Sequence, residues 1–333
     1  MRAALLALAL LVAAGPALAA PKPHPPAGPL RSTIFKMPAP LRANAPAWVG
    51  TQGKLAFLGN QSQGGAVDIY LWDPKLRQMG RATDGAGVRH SLTAALDGRL
   101  AYVERGDGLA PPPAGCQPGP DRIVVYNFAN GSKKPVFEGG SVAPDTLCWS
   151  QDGQRLAFLT VDVDGAPALA LMRSGEPLAV TRLPVNYALE GLVGWMDARE
   201  VMAKAIAPNG AHVLLRVGSS GLNALPPGPG PKLSPDGRYL LTRLADGYDV
   251  GVALRGTASG GRTLHRTAGA YAWGPGNKPY VAVGGDVVAL DLNGNVVKLY
   301  PGAAANGLDD MVISPDSKFA ALLTAHVLTV LAL

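Results

Sequence analysis

Short apolar runs alternate with turn-forming clusters along most of the chain, most clearly over residues 234–254. A Ser234-Pro235-Asp236-Gly237 turn precedes an apolar run at 238–244, and a second turn leads into another run at 249–254. Proline presets the backbone for a reversal, while Asp-Gly tolerates the conformations that a tight turn requires. Both runs are apolar on both faces, which is typical of strands in a sheet buried on two sides. The pattern predicts two strands joined by tight turns.

The same turn and strand recur along the chain. The best copies are Trp149-Ser150-Gln151-Asp152-Gly153 and Ser314-Pro315-Asp316-Ser317, and weaker ones turn near residues 53, 98, 198 and 277. Each unit except the last divides into four short apolar runs, and the intervals between copies are 39 to 55 residues. A period of about 40–45 residues with four strands per unit is the signature of propeller blades. No helical periodicity of useful length is present, so the sequence predicts an all-β propeller.

Seven copies favour seven four-stranded blades, and six remain the alternative if a degraded copy is not a blade. The innermost strand is predicted at 47–49 in the first repeat and at 192–195 in the fourth. The last repeat has apolar runs for only three strands, which would leave an unpaired edge open to aggregation. Residues 31–37 have strand composition and precede the first repeat. We therefore expect an N-terminal strand to complete the last blade and close the ring.

The run from Trp149 to Phe158, with Ser234-Pro235-Asp236-Gly237, resembles the WD40-like (PD40) repeat of TolB-type propellers. The similarity covers about residues 45–333. The resemblance implies a periplasmic or secreted setting and protein partners, such as envelope lipoproteins. TolB itself carries a further N-terminal domain that this sequence lacks, so its Tol–Pal role is not carried over. Prolyl-oligopeptidase-type enzymes use the same repeat, but no Gly-x-Ser-x-Gly nucleophile elbow occurs here.

The first 30 residues differ in composition from the repeats. Residues 1–19 have a basic start, an apolar segment and a small-residue cleavage site at Ala17-Leu18-Ala19, as in a secretory signal peptide. The apolar segment is shorter than the roughly 20 residues that span a bilayer. Residues 20–30 are proline-rich and predict an extended tether. We expect a single propeller domain over 31–333, periplasmic or secreted, with no transmembrane segment.

The formal net charge is +6, and the basic residues are scattered singly. A nucleic-acid-binding surface needs a basic stripe with interleaved aromatic residues. The scattered charges therefore indicate ordinary solubility, and we expect no nucleic-acid partner. We also expect the chain to be a monomer.

The loops joining the second and third strands of each blade share one face, where we expect binding. The longest spans 105–121 and contains Cys116. Export favours a disulfide between Cys116 and Cys148, the two cysteines of the sequence, although two separate thiols remain the alternative. The candidate binding residues on this face are Asp107, Asp121, Arg122, Asp162, Asp164, Tyr187, Asp246 and Tyr248.

Catalytic and metal-ligating patterns are not apparent in the sequence. The histidines lack metal-ligand spacing, and no nucleophile, base and acid can be assembled from sequence order. We expect no cofactor and favour a non-catalytic scaffold that binds a protein or peptide. A small-ligand or glycan sensor, and a lactonase-type or other hydrolase with its site at the channel mouth, remain open.

Overall fold

The computed structural model describes residues 33–51, 53–61, 66–83, 88–105, 120–161, 166–173, 176, 178–183, 186–218, 223–225, 230–243, 250–254, 262–265, 269–303 and 308–333. Within these residues the chain forms 28 β-strands arranged in seven four-stranded antiparallel sheets. The described part contains no α-helix, and its one 3₁₀ turn is Pro275–Asn277. The prediction of an all-β protein is confirmed.

The strands follow one another in chain order. Strand β1 is Thr33–Lys36. Sheet 1 contains β2 (Arg42–Val49), β3 (Lys54–Asn60), β4 (Asp68–Asp73) and β5 (Gln78–Arg81). Sheet 2 contains β6 (Arg89–Ala94), β7 (Arg99–Arg105), β8 (Asp121–Asn127) and β9 (Lys133–Gly140). Sheet 3 contains β10 (Cys148–Trp149), β11 (Arg155–Val161), β12 (Pro167–Arg173) and β13 (Ala179–Arg182).

The remaining sheets repeat this arrangement. Sheet 4 contains β14 (Ala188–Trp195), β15 (Val201–Ile206), β16 (His212–Val217) and β17 (Asn223–Leu225). Sheet 5 contains β18 (Lys232–Leu233), β19 (Tyr239–Arg243), β20 (Val250–Leu254) and β21 (Arg262–His265). Sheet 6 contains β22 (Tyr271–Gly274), β23 (Lys278–Val283), β24 (Asp286–Leu290) and β25 (Val296–Tyr300). Sheet 7 contains β26 (Asp310–Ile313), β27 (Phe319–Thr324), β28 (Val327–Ala332) and β1.

Sheet 7 differs from the others in the origin of its outer strand. Sheets 1 to 6 each use four consecutive strands paired in chain order, whereas the order in sheet 7 is β1-β28-β27-β26. Strand β1 runs antiparallel to β28, with Thr33 opposite Leu331 and Phe35 opposite Val330. The segment before the first repeat thus supplies the fourth strand that the last repeat lacks.

The hydrophobic core lies in layers between neighbouring sheets. One cluster joins sheets 1 and 7 and includes Trp72 and Val330, and a second joins sheets 1 and 2 through Ile69 and Tyr102. Five further clusters join the consecutive pairs from sheets 2 and 3 to sheets 6 and 7. Because each sheet is covered on both faces, its second strand is buried along most of its length, as in β3.

The Ser-x-Asp-Gly motif forms a closed turn at the end of an innermost strand. Ser234 Oγ donates to Asp236 Oδ1 at 2.7 Å and accepts from Tyr239 N at 2.9 Å. Gly237 adopts a positive φ of 72°, and a Cβ there would lie 2.5 Å from the carbonyl oxygen of Met196 in the neighbouring sheet. Glycine is therefore required both by the backbone conformation and by the close contact between sheets.

Tryptophans at the ends of innermost strands connect neighbouring sheets by hydrogen bonds. Each of three indole Nε1 atoms donates to a carbonyl oxygen on the innermost strand of the preceding sheet. The pairs are Trp48 with Val312 at 3.1 Å, Trp195 with Cys148 at 2.9 Å, and Trp273 with Lys232 at 2.8 Å. These bonds hold the inner edges of the sheets in register.

Two innermost strands are longer than the sequence pattern predicts. Strand β2 begins at Arg42 and β14 begins at Ala188, well before the predicted starts at 47 and 192. The register of each strand shifts at bulges, and Ala45, Gly191 and Gly194 have positive φ. A bulge breaks the regular alternation of side chains, so the periodicity misses the first half of such a strand. No helix in the described residues is long and apolar enough to cross a membrane.

Candidate functional site

A set of charged residues joins sheets 1 and 2 on the face where second strands end and third strands begin. We call it the arginine network. It consists of Asp68, Arg81, Arg89, Glu104, Arg105, Asp121 and Arg122. All seven stand at or next to the strand ends that border the loops of this face.

Arg89 lies at the centre of the network. Its guanidinium lies 2.8 Å from Asp68 Oδ1 and 3.4 Å from Glu104 Oε1, and both Arg89 and Asp68 have side chains only 8% exposed. Thr83 Oγ1 also donates to Asp68 Oδ1, at 2.9 Å. A buried charge is tolerated when it is paired and hydrogen-bonded. The centre of the network is therefore a rigid connection between sheets 1 and 2.

The outer members of the network are open to solvent. Arg122 donates to Glu104 Oε2 through Nε at 2.9 Å and through Nη2 at 2.7 Å, and its side chain is 52% exposed. Arg81 lies 3.3 Å from Asp68 Oδ2 with 50% exposure. These two guanidinium groups are oriented by carboxylates behind them. Guanidinium groups bind carboxylates and phosphates through paired hydrogen bonds, so this rim can recognise an acidic group.

Asp121 lies inside the protein, at the point where the longest predicted loop returns to the sheet. Its carboxylate accepts from Val142 N at 2.8 Å and lies 3.5 Å from Arg105 Nε, and the side chain is 3% exposed. Arg105 and Asp121 are also opposite each other in the pairing of β7 with β8. Asp121 therefore anchors the base of the loop, and a contribution to binding stays a prediction.

His90 lies beside the network with one ring nitrogen unpaired. Its Nδ1 is 2.9 Å from Ser91 Oγ, and its Nε2 is buried without a hydrogen-bond partner. Burial lowers the pKa of His90, and Asp121 opposes that shift. The imidazole is therefore neutral near neutral pH, because bringing a charge into this site costs desolvation energy.

The other predicted binding residues are placed as follows. Tyr187 is partly buried against the core cluster between sheets 3 and 4, just before β14. Asp107, Asp162, Asp164, Asp246 and Tyr248 lie outside the described residues. Arg122 and Asp121 therefore belong to one cluster, and Tyr187 is separate from them.

The predicted disulfide receives no support. Cys148 has a free thiol, half-buried on the innermost strand of sheet 3, with Sγ 3.6 Å from its acceptor, Trp149 O. Burial raises the pKa of the Cys148 thiol to about 12, so the group is protonated and unreactive at neutral pH. Cys116 lies outside the described residues, and the pairing stays a prediction.

Metal-ligating side chains do not converge in the described residues, where no group of three or more His, Cys, Asp or Glu could hold an ion. The charged side chains of the arginine network can orient an acidic partner. Beside them, the Ser91 hydroxyl lies 2.9 Å from His90 Nδ1, a contact between a hydroxyl and a possible base.

Five members of the network were not singled out from the sequence: Asp68, Arg81, Arg89, Glu104 and Arg105. Each is a charged residue at or near the end of a predicted strand, on the side of the predicted binding face. That shared position is a signal that could have identified them. The pairing of Arg89 with Asp68 was not visible, because it links two different repeats.

Comparison with known proteins identifies the fold. No family model matches the chain, and no curated protein matches its sequence. The structure is similar to the β-propeller domain of Cps50 (Swd1) from Myceliophteria thermophila, with a TM-score of 0.55 and 12% identity over 88% of this chain and 100% of that domain. It is similar to a chain of the mitotic checkpoint complex, with a TM-score of 0.57 and 13% identity over 95% and 97% of the two chains. TolB from Acinetobacter baumannii gives a TM-score of 0.50 and 14% identity over 76% of this chain and 65% of that one. The chain has a β-propeller fold.

Proposed function

We propose that this chain is an exported, non-catalytic propeller that binds a protein or peptide partner in the cell envelope or outside the cell. In this proposal the seven sheets are the blades of one ring, closed by β1, and the face that carries the arginine network contacts the partner. The exposed guanidinium groups of Arg81 and Arg122, each oriented by a carboxylate, are the observation on which the proposal depends most.

The sheet contacts support a closed ring. The innermost strands of consecutive sheets are neighbours, and β2 of sheet 1 contacts β26, β27 and β28 of sheet 7. Lys232 of sheet 5 also reaches Asp310 of sheet 7, with Nζ 2.5 Å from Oδ1. Closure packs the first sheet against the last, so that neither end of the series leaves an apolar sheet face open to solvent.

The fold neighbours support a role in protein binding. One of them is a component of the mitotic checkpoint complex, which is an assembly of proteins. The identity of 13% shows the fold alone, so the partner has to be found from this chain's own surface. An acidic segment is the partner chemistry that an exposed arginine pair recognises.

The proposal is tested by capture from envelope extract with the tagged, processed protein. We expect one specific partner, reduced at least several-fold by Arg122→Glu and by replacing residues 107–119 with a short Gly-Ser linker. Arg238→Glu is the matched control, because Arg238 is 76% exposed in a turn on the opposite face. Equal capture by the wild type and the loop replacement, or no specific partner, would contradict the proposal.

Export is tested separately by N-terminal sequencing of the protein recovered from the periplasm or the medium. Cleavage after Ala17-Leu18-Ala19 gives a mature chain that begins at Ala20. Retention of residues 1–19 in the cell interior would contradict the export part of the proposal and leave the binding part standing.

A further inference from the structure

A cavity of about 400 Å³ lies between sheets 2 and 3, on the face opposite the arginine network. We call it the intersheet cavity. It is lined where first and third strands end and second and fourth strands begin, by residues that include Val125, Lys134, Trp149 and Met172. Its volume is within the range of about 300–1,000 Å³ that is typical of small-ligand sites. Neither the expected function nor the proposed partner surface uses it.

The floor of the cavity is apolar. Val125, Val136, Leu156, Met172 and the ring of Trp149 line it, and all of them belong to or pack against one core cluster. Apolar surface left open to water favours occupation by an apolar group, because covering that surface removes it from water. The floor therefore selects a ligand with an apolar body.

The rim of the cavity carries one positive charge without an ion-pair partner among the described residues. Arg99, Lys134 and Arg173 line it; Asp97 pairs with Arg99 at 2.5 Å, and Glu176, also in the lining, pairs with Arg173 at 2.6 Å. Lys134 is exposed and forms no ion pair with any described residue. Cationic groups above an apolar floor favour a ligand that carries a negative charge at one end.

Arg99 is held in a fixed position at the cavity. Its Nε donates to Asp97 Oδ2 at 2.8 Å, its Nη2 donates to the carbonyl oxygen of Gly153, and the guanidinium lies 4.9 Å from the centre of the Trp149 ring. None of these bonds uses Nη1. A guanidinium that is already oriented loses little entropy when it binds a carboxylate.

Trp149 differs from the other tryptophans that end innermost strands. Trp48, Trp195 and Trp273 each donate an indole N–H to a neighbouring sheet, whereas the Nε1 of Trp149 is buried without a partner. A buried donor without an acceptor is rare in folded proteins and calls for an explanation. The indole hydrogen bond to the preceding sheet is therefore absent at the place where sheets 2 and 3 leave a cavity.

We propose that the intersheet cavity binds a carboxylate joined to an apolar body, as found at the C-terminus of a peptide ending in leucine or in a medium-chain carboxylic acid. The apolar part covers the floor, and Lys134 with Arg99 Nη1 binds the carboxylate. This proposal does not depend on the partner surface around Arg122, because the two sites lie on opposite faces.

The test uses N-acetyl-alanyl-leucine with a free carboxylate, followed by calorimetry and by tryptophan fluorescence. We expect saturable binding with a Kd of about 1 mM or tighter. The C-terminal amide of the same peptide should bind about tenfold more weakly, since it lacks the charge. Octanoate distinguishes the two sources: binding tighter than the peptide indicates a free acid, and weaker binding indicates a peptide end.

The neighbouring lysines provide matched variants. Lys134→Ala should weaken binding by about fivefold or more, because it removes the unpaired charge at the rim. Lys133→Ala should leave binding unchanged, because Lys133 Nζ lies over Tyr126 and bonds Ala82 O on the side of sheet 1. Both positions are exposed on one strand, and thermal unfolding checks that both variants fold. No saturable binding, equal binding of acid and amide, or equal effects of the two lysine variants would overturn the proposal.

Discussion

At the scale of single residues, the Ser-x-Asp motif forms a hydrogen-bonded turn at the end of an innermost strand. Ser314 is fully buried, and its Oγ donates to Asp316 Oδ1 at 2.7 Å while accepting from Phe319 N at 2.9 Å. The same arrangement occurs at Ser150 and Ser234. The motif therefore recurs because one hydroxyl satisfies the backbone of the turn and the start of the next strand.

Ser314→Ala should lower the free energy of unfolding by about 1–3 kcal/mol, because it leaves the Phe319 N–H buried without its acceptor. Urea denaturation measures the change. Ser132→Ala is the control, since Ser132 is exposed and should change stability by less than about 0.5 kcal/mol. Equal effects of the two variants would contradict the role of the Ser314 hydroxyl.

Asp152 makes the turn at residues 150–153 sensitive to acid. The Ser150 hydroxyl, followed by the Gln154 N–H, lowers the pKa of Asp152 below its ordinary value of 3.8. Because the pKa is lowered in the folded state, the ionised carboxylate of Asp152 stabilises the fold at pH values above the pKa of the unfolded state. That stabilisation is lost as the pH falls through the pKa of the folded state. Asp152→Asn should therefore be less stable than the wild type near neutral pH, and the gap should shrink as the pH falls below about 4. Urea titrations over that range measure it, with exposed Glu138→Gln as control; a constant gap would contradict the assignment.

At the scale of strands and sheets, indole hydrogen bonds connect the innermost strands of neighbouring sheets at three junctions of the described structure. Trp195 and Trp149 occupy similar places at the ends of β14 and β10, but only Trp195 donates a hydrogen bond. Comparing variants of the two residues therefore tests what the indole hydrogen bond contributes to the stability of the protein.

Trp195→Phe should destabilise the protein by about 1 kcal/mol more than Trp149→Phe, because only the first change removes a made hydrogen bond. Chemical denaturation of the two variants gives the difference directly. Both changes reduce a large ring to a smaller one, but Trp195 is buried and Trp149 is half-buried, so Leu192→Ala and Met172→Ala, at partly buried positions in the same two sheets, measure the packing cost on each side. A greater cost for Trp149→Phe would show that the indole hydrogen bond contributes little.

At the scale of the whole molecule, the pairing of β1 with β28 connects the two ends of the described chain. Phe35 lies 5.3 Å from the Trp72 ring, so β1 also contributes to the core between sheets 7 and 1. Loss of β1 would expose the edge of β28 and part of that core. An exposed edge strand is a template for pairing with other chains.

A chain that begins at residue 37 should have a lower melting temperature than one that begins at residue 20, and it should associate in a concentration-dependent way. A chain that begins at residue 33 should behave like the one that begins at residue 20, because it keeps β1. Thermal unfolding and light scattering on a sizing column measure the two effects. A monomeric chain beginning at residue 37 with an unchanged melting temperature would contradict a structural role for β1.

Only some residues of the candidate binding face could be identified from the sequence. Arg122 was identified because it borders the longest loop, and it is exposed at the rim of the arginine network. Asp121, its neighbour, was grouped with it but is buried against Val142 and Arg105. Adjacent residues in a strand point to opposite faces, and only the packing of the next sheet shows which face is covered.

The sequence by itself determined the all-β class, the recurring turn and the division into four-stranded units, because these depend on local propensity and on patterns within each repeat. Only the tertiary structure decided which charges pair between sheets 1 and 2, which innermost-strand tryptophan lacks an indole hydrogen bond, and where sheets 2 and 3 leave a cavity. Those features depend on contacts between residues far apart in the chain. The distance and orientation of such residues follow from how whole sheets pack, which local sequence does not encode.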